Sequence, residues 1–231
     1  MKLALIGKGI AHSASPSIYK KILGPQIHYD LIDIQDEVQL PSLMDLAKTY
    51  DGINITSPYK KNYLSQLNFL TPEVHHLEAV NTILLNQNHF SGANTDYFAV
   101  ETLLKKFKED YPQSHLLLLG SGVMAKLTQY VCQKLSLDIL QISRSTNPDM
   151  EHLDLRPYHR MNSQLMVINA CSRDFYFKGQ TTGDEFFWDY NYRFLPHQHT
   201  LPFFFKVYWD GQEMLNLQAE YAVKFWKENL G

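Results

Sequence analysis

A lysine that follows a short apolar run is the first residue here with the type and place to do chemistry. It is Lys60, in Asn54-Ile55-Thr56-Ser57-Pro58-Tyr59-Lys60-Lys61. Gly52 to Thr56 has the β-branched residues and alternation of a strand. Ser57-Pro58 supplies a helix start, since proline is tolerated in a first helical turn. A lysine at a strand-to-helix junction points into the crevice where open α/β sheets hold ligands; taken alone it is also compatible with a solvated position on an amphipathic helix. Asp96 opens a second helix, expected from Tyr97 to about Lys108. As an N-cap it would serve structure only. On the same side of the sheet as Lys60, it would be a carboxylate in a position to pair with that ammonium. A third candidate is His12-Ser13-Ala14-Ser15-Pro16, where two hydroxyls, Ser13 and Ser15, precede a helix N-terminus. Hydroxyls and the positive end of a helix dipole can hold an anion such as a carboxylate. Plain capping by Ser15 is the simpler alternative.

The second half carries a different signature. Leu116 to Leu119 is an apolar strand, followed by Gly120-Ser121-Gly122-Val123-Met124-Ala125 and a helix to about Leu135. In such a G-x-G-x-x-A turn, Gly120 permits the tight bend. Gly122 lets backbone approach a pyrophosphate, and Ala125 lets helix and strand pack closely. A second strand, Asp138 to Ile142, ends in Ser143-Arg144-Ser145. An NAD enzyme usually carries an acid there for the ribose 2′-hydroxyl. A guanidinium flanked by two hydroxyls favours a 2′-phosphate, and so NADP. The missing acid also argues against an S-adenosylmethionine site. Leu165 to Ala170 is a third strand.

These candidates must be positioned by an alternation of strands and helices. Leu3 to Ile6 is a buried strand ended by Gly7-Lys8-Gly9, and Pro16 opens a helix on which Ile18 and Ile22 share a face. His28 to Ile34 is the second strand, Leu40 to Thr49 a helix, Gly52 to Thr56 the third strand and Pro58 to about Leu67 a helix. A polar connection leads to the strand Ala79 to Leu85, and Asn86-Gln87-Asn88 turns the chain toward His89 to Asp96.

Composition narrows the function classes. The chain has 231 residues, 45% hydrophobic and 19% charged, which provides a sizeable core. A net charge of -3 gives no reason to expect nucleic acid or an anionic membrane as partner. No apolar run approaches a membrane span. Met1 to Gly7 is too short for a signal-peptide core. Two distant cysteines, Cys132 and Cys171, fit buried thiols in a reducing cytoplasm. His75-His76 and His197/His199 lack a completing ligand set, so no metal is expected.

Taken together the motifs resemble the shikimate dehydrogenase family, over nearly the whole chain. They are His12 to Pro16, Asn54 to Lys60, Ala79-Val80-Asn81-Thr82, Asn94-Thr95-Asp96, the loop at Gly120, the Arg144 segment and Ile168-Asn169-Ala170, with Trp188 to Tyr192 and Met214 to Ala219 near the end. The resemblance implies an α/β fold in three parts. A substrate-binding domain would cover 1–97, a shortened Rossmann-type NADP domain 98–209, and a C-terminal helix, 210–231, would return to the first domain. It implies that Ser13, Ser15 and Tyr192 hold a substrate carboxylate. Thr56, Asn81, Asp96 and Gln218 would read ring hydroxyls, with Lys60 and Asp96 as the catalytic pair. Gly120, Ser121, Gly122, Ala125, Ser143, Arg144 and Ser145 would hold NADP. The implied activity is reversible reduction of 3-dehydroshikimate to shikimate, in the cytoplasm, by a monomer or homodimer. Such chemistry suits the residue types, because a ketone that receives hydride becomes an alkoxide and a positioned lysine can protonate it.

Three departures from the family pattern lie on the cofactor side. The connection from Arg144 to Asn169 is short and holds Pro148 and Pro157, leaving little room for a crossover helix. Thr146-Asn147-Pro148-Asp149 replaces basic residues. Asp210-Gly211-Gln212-Glu213 puts a glutamate where the family has a second glycine near the nicotinamide. The alternative function is therefore a shikimate-family binding protein with an impaired cofactor site and little turnover.

Overall fold

The computed structural model describes residues 1–229. The chain is α/β and divides into two compact units. One holds Met1–Phe98 and the stretch from Asn216 onward, and the other Ala99–Leu215.

The first unit is built on a six-stranded mixed sheet. Its strands are β1 (Lys2–Gly7), β2 (His28–Asp33), β3 (Gly52–Ile55), β4 (Phe69–Leu70), β5 (Thr82–Asn86) and β6 (His89–Ala93), in the spatial order β2-β1-β3-β5-β6-β4. β1 runs parallel to β2 and β3, and β5 is antiparallel to β3 and β6. β1 and β3 are buried almost end to end, as apolar strands covered on both faces must be. The helices are α1 (Ser15–Leu23), α2 (Leu43–Leu46), α3 (Pro72–Leu77) and the start of α4 (Thr95–Asp110). Ile6, Leu43, Ile53, Ile55, Tyr63 and Ile83 form the core on one side of the sheet.

The second unit is built on five parallel strands, with connections that include α5 (Val123–Lys134) and α6 (Leu195–Thr200). The strands are β7 (Ser114–Leu119), β8 (Ile139–Ile142), β9 (Gln164–Asn169), β10 (Phe186–Asp189) and β11 (Val207–Trp209), in the order β11-β10-β9-β7-β8. The order reverses between β7 and β9, which makes the carboxyl ends of those strands the crevice of a doubly wound sheet. Between β8 and β9 the chain forms only two 3₁₀ turns, Met150–His152 and Arg156–Tyr158. The last helix, α7 (Gln212–Asn229), crosses the boundary of the units, and its later turns pack in the first one. There Trp226 is fully buried, donates from Nε1 to the Ile83 carbonyl at 3.0 Å, and lies where a side chain on Gly52 would have to be. Leu230 and Gly231, the end of the expected C-terminal segment, lie outside the described residues.

Several local expectations are corrected. Pro58 to Leu67 is not a helix. The Ser57–Pro58 peptide is cis, and the chain continues through turns to a 3₁₀ turn at Leu64–Gln66. The Lys60 carbonyl, which a helix would need for Leu64, accepts from the Val80 N–H at 2.8 Å. Tyr59 and Tyr63 are buried and donate to the Ile34 and Pro41 carbonyls. The helix expected over Leu40 to Thr49 contracts to Leu43–Leu46, because Pro41 cannot sit in its interior and Ser42 caps it, accepting from the Asp45 N–H at 3.1 Å. Ser15 is not the cap of α1. It is the first helical residue, and the Ser13 hydroxyl accepts its N–H at 3.2 Å. Asp96 is not a cap either. It lies in the first turn of α4, whose entry is set by Asn94 accepting from the Tyr97 N–H at 3.2 Å. Cys132 is buried as expected, whereas Cys171 is only half-buried.

Candidate active site

In the first unit the side chains singled out from sequence sit on and beside a buried polar floor. Lys60 Nζ is 2.7 Å from Asp96 Oδ2, and both side chains keep only 13% and 12% of their surface. So little exposure keeps most bulk water from the pair, which strengthens its electrostatics. The floor begins at Asn54 in β3. Its Oδ1 accepts from the Tyr29 hydroxyl at 2.8 Å, and its amide donates to the Asn81 carbonyl at 3.2 Å and Thr82 Oγ1 at 3.1 Å. Asn81 Oδ1 accepts from the Thr95 N–H at 2.7 Å and from the hydroxyls of Thr82 and Thr95 at 3.2 Å. Thr95 Oγ1 also reaches Gln218 Oε1 at 3.4 Å. Gln218, on α7, is therefore brought to the same place as Asn81 and Asp96.

The serines join this floor at its other end. The Ser13 hydroxyl donates to Ser15 Oγ at 3.1 Å, and the Tyr29 phenol lies beside Ser15. Burial drives the Tyr29 phenol well above its ordinary value, so it is a neutral donor. Thr56 is half-buried at the end of β3. Its N–H donates to the Ile6 carbonyl at 2.9 Å, and a side chain on Gly7 would collide with it. Sequence reasoning passed over Asn54, Thr82 and Thr95 as members of the network, along with Tyr29. A signal was present: Asn54 is the one amide in a four-residue strand that is otherwise apolar, and a buried amide needs partners.

In the second unit the nucleotide candidates gather at the carboxyl ends of the parallel strands. Gly120 follows β7 with φ +113, and a Cβ there would press on the Ala170 backbone and on Cys171 Sγ, each at 3.2 Å. Glycine is demanded at this position by the protein itself. Gly122 is different. Its φ is -73 and a Cβ would meet nothing within 4 Å, so packing makes no demand for glycine there. The open space suits a group that needs close approach to the start of α5. Ser121 is exposed, and Ala125 is fully buried against the sheet. After β8, Ser143 is buried and its hydroxyl is 2.7 Å from that of Ser145. Arg144 is exposed and lies 3.4 Å from Asp174 Oδ2. These groups fit a phosphorylated dinucleotide, although the guanidinium already has an acidic neighbour.

Tyr192 is half-buried in the loop after β10, where its carbonyl accepts from Arg173 at 2.9 Å. A side chain on Gly211 would collide with the backbone of that loop. Glu213 carries no isolated charge: Lys106 Nζ is 3.9 Å from its Oε1, at a small cavity also lined by Phe107, Trp188 and Trp209. His197 is buried, with Nδ1 at 2.5 Å from Asp189 Oδ2 and Nε2 accepting from the Phe177 N–H at 3.0 Å. Among the described residues no cluster of three or more His, Cys, Asp or Glu could hold a metal ion. Among them, too, no helix is long and apolar enough to cross a membrane.

Comparison with known proteins decides the kinship. Residues 5–83 match the model of the shikimate dehydrogenase substrate binding domain. This chain is related to the shikimate dehydrogenases. It is 30% identical to the NADP(+) shikimate dehydrogenase of Clostridium beijerinckii over 168 residues, covering 68% of this chain and 62% of that enzyme. It is 34% identical to that of Prosthecochloris aestuarii over 125 residues, or 52% and 43% of the two chains. The sequence match thus spans under two thirds of each relative. The fold reaches further. A crystal structure of the Thermus thermophilus shikimate 5-dehydrogenase in complex with NADP(H) and shikimate superposes with a TM-score of 0.74, at 21% identity, over 99% of this chain and 94% of that one.

Proposed function

We propose that this chain is an NADP-dependent shikimate dehydrogenase, acting in the cytoplasm on the route to chorismate and the aromatic amino acids. One observation carries the reading: a lysine and an aspartate in contact at 2.7 Å, beside a floor of hydroxyls and amides, within the unit that matches the family's substrate domain. Ser13 and Ser15 are assigned the carboxylate of the ring acid. Thr56, Asn81, Asp96 and Gln218 are assigned its hydroxyls. NADPH, when bound, supplies the hydride that reduces the ketone. Lys60 then gives its proton to the ring oxygen as negative charge develops there, and takes it back in the reverse direction. Asp96 keeps the Lys60 ammonium aimed, and accepts from the neighbouring hydroxyl. The glycine loop and Ser143, Arg144 and Ser145 are assigned the pyrophosphate and 2′-phosphate.

The deciding experiment follows absorbance at 340 nm with shikimate and NADP, and in parallel with NAD and with quinate. Shikimate-dependent NADP reduction is the expected result. Reduction with quinate alone would move the substrate within the class of cyclohexane and cyclohexene acids. Shikimate binding without turnover at millimolar NADP would sink the dehydrogenase reading and leave a ligand-binding protein.

A further inference from the structure

The loop after β10 carries Tyr192, a residue that the likeness to shikimate dehydrogenases gives to the substrate carboxylate. Ahead of Tyr192 the loop is tied to the sheet. The Tyr190 N–H donates to the Asn169 carbonyl at 3.0 Å, and the Asn191 N–H to Asp189 Oδ1 at 2.9 Å. Beyond Tyr192 the chain turns sharply at Arg193, whose φ is +50, a left-handed conformation that a bulky residue rarely adopts. Such a conformation persists only where the surroundings over-determine it.

Two groups hold the turn. The Arg193 N–H donates to Asp210 Oδ2 at 3.3 Å. The other group is Arg173, in the loop after β9. Its Nη1 donates to the Tyr192 carbonyl at 2.9 Å and its Nη2 to the Arg193 carbonyl at 3.2 Å. The same guanidinium lies over the Phe194 ring, 5.5 Å from its centre. Turn and fork suit each other. In the left-handed region the two carbonyls that flank a residue point the same way, so one planar guanidinium takes both. In an extended residue they would point apart.

We propose that Arg173 is a positioning residue: its fork fixes the turn at Arg193 and so holds the Tyr192 phenol where it binds the substrate carboxylate. A tyrosine ring has only two side-chain torsions, so the backbone on either side largely decides what the phenol reaches. Arg173 acts on the backbone of its neighbour and not on the substrate. This inference rests on the shikimate reading above.

The test compares shikimate and NADP titrations, steady-state kinetics and melts of wild type, Arg173→Ala, Arg173→Lys, Tyr192→Phe and the double variant Arg173→Ala, Tyr192→Phe. Arg173→Ala should bind shikimate about five- to tenfold more weakly, the scale of one lost hydrogen bond. The loss should fall on KM, with kcat within about twofold. NADP affinity and Tm should hardly move, because Arg173 is exposed. Arg173→Lys keeps the charge without the fork and should remain at least about threefold weaker than wild type. In the Tyr192→Phe background, Arg173→Ala should weaken shikimate no further, because the two act as a unit. Full recovery by lysine would mean that Arg173 attracts the carboxylate directly, and would overturn the inference. A loss of full size in the Tyr192→Phe background, or an equal loss of NADP affinity with a Tm drop of several degrees, would overturn it too. Wild type binding shikimate while Arg173→Ala behaves identically sinks this inference alone. Wild type failing to bind shikimate sinks the functional reading and this inference with it.

Discussion

The Lys60–Asp96 contact sets the chemistry at the scale of single residues. Lys60→Ala removes the only group assigned to proton transfer and should lower kcat by about a hundredfold to ten-thousandfold, with substrate binding affected less. Wild-type turnover in that variant would remove the mechanism. Asp96→Asn should also be damaging, since it takes away the charge that keeps the ammonium aimed. The double change Ser13→Ala, Ser15→Ala should weaken shikimate binding by about 1–3 kcal/mol and leave NADP binding alone, the scale of hydrogen bonds lost to a charged group. On the cofactor side the residue of interest is Asp174, 3.4 Å from the Arg144 guanidinium. Both are exposed, so their attraction contributes about 0.2–1 kcal/mol. An incoming 2′-phosphate must compete with that carboxylate. Asp174→Asn should therefore tighten NADP roughly two- to fivefold in a calorimetric titration and leave NAD unchanged. Arg144→Ala should abolish the preference between the two. Equal tightening of both cofactors by Asp174→Asn would mean that the carboxylate faces something other than the 2′-phosphate.

At the scale of elements, the two loop glycines separate structure from binding. Gly120 has φ +113 and no room for a Cβ, so Gly120→Ala should cost about 1–3 kcal/mol and lower Tm visibly. Gly122 has an ordinary φ and open space. Gly122→Ala should leave Tm within a degree or so and weaken NADP, because the methyl fills the space given to the pyrophosphate. A Tm loss from Gly122→Ala would show that the glycine serves packing instead. The same loop was legible from sequence, because a strand, three small residues at fixed spacing and a helix are all local features. Strands β1, β3 and β9 were legible for the same reason. Elements fixed by distant partners were not. Lys60 sits in a turn because Val80 takes its carbonyl and two buried tyrosines anchor the segment to residues far along the chain. No local pattern encodes those bonds. The short α3 and β4 were hidden in what looked like a polar connection, since two- and six-residue elements carry too little periodicity to read. The site was legible as a set of residue types, but the floor that joins them was not, because Asn54, Asn81 and Thr95 meet only once the sheet has formed.

On the scale of the whole molecule, each of the two units has an apolar core of its own. The first has a continuous apolar core below its sheet and a helix anchored by Trp226. The second replaces a crossover helix with a short irregular connection that buries Met150, Leu153 and Leu155 in its core and is further held by polar pins. His115, buried on β7, reaches Ser163 Oγ at 2.7 Å with Nδ1 and the Tyr158 carbonyl at 2.8 Å with Nε2. Arg160 pairs with Asp138. The buried Glu185 accepts from the Thr182 N–H at 2.9 Å and meets His159 Nε2 at 2.7 Å. Desolvation lowers the His115 value below the usual 6.5, against the pull of the Tyr158 carbonyl. Glu185 loses solvation too, but the N–H donors and His159 outweigh that and bring it below its usual 4.5. In both cases the unfolded chain binds protons more readily than the folded one, so stability rises with pH across the shifted range and falls as acid is added. His115 makes the first loss, starting as pH drops through about 6.5, and Glu185 the second, starting near 4.5. Melts from pH 7.5 to 5.5 should show Tm falling, with amide exchange quickening first in β7, β9 and the 156–164 connection while β1 and β3 stay protected. His115→Gln, which keeps a neutral donor and acceptor, should flatten the upper part of that slope. The same slope in the variant, or exchange starting in β1 and β3, would place the acid-sensitive step outside these pins.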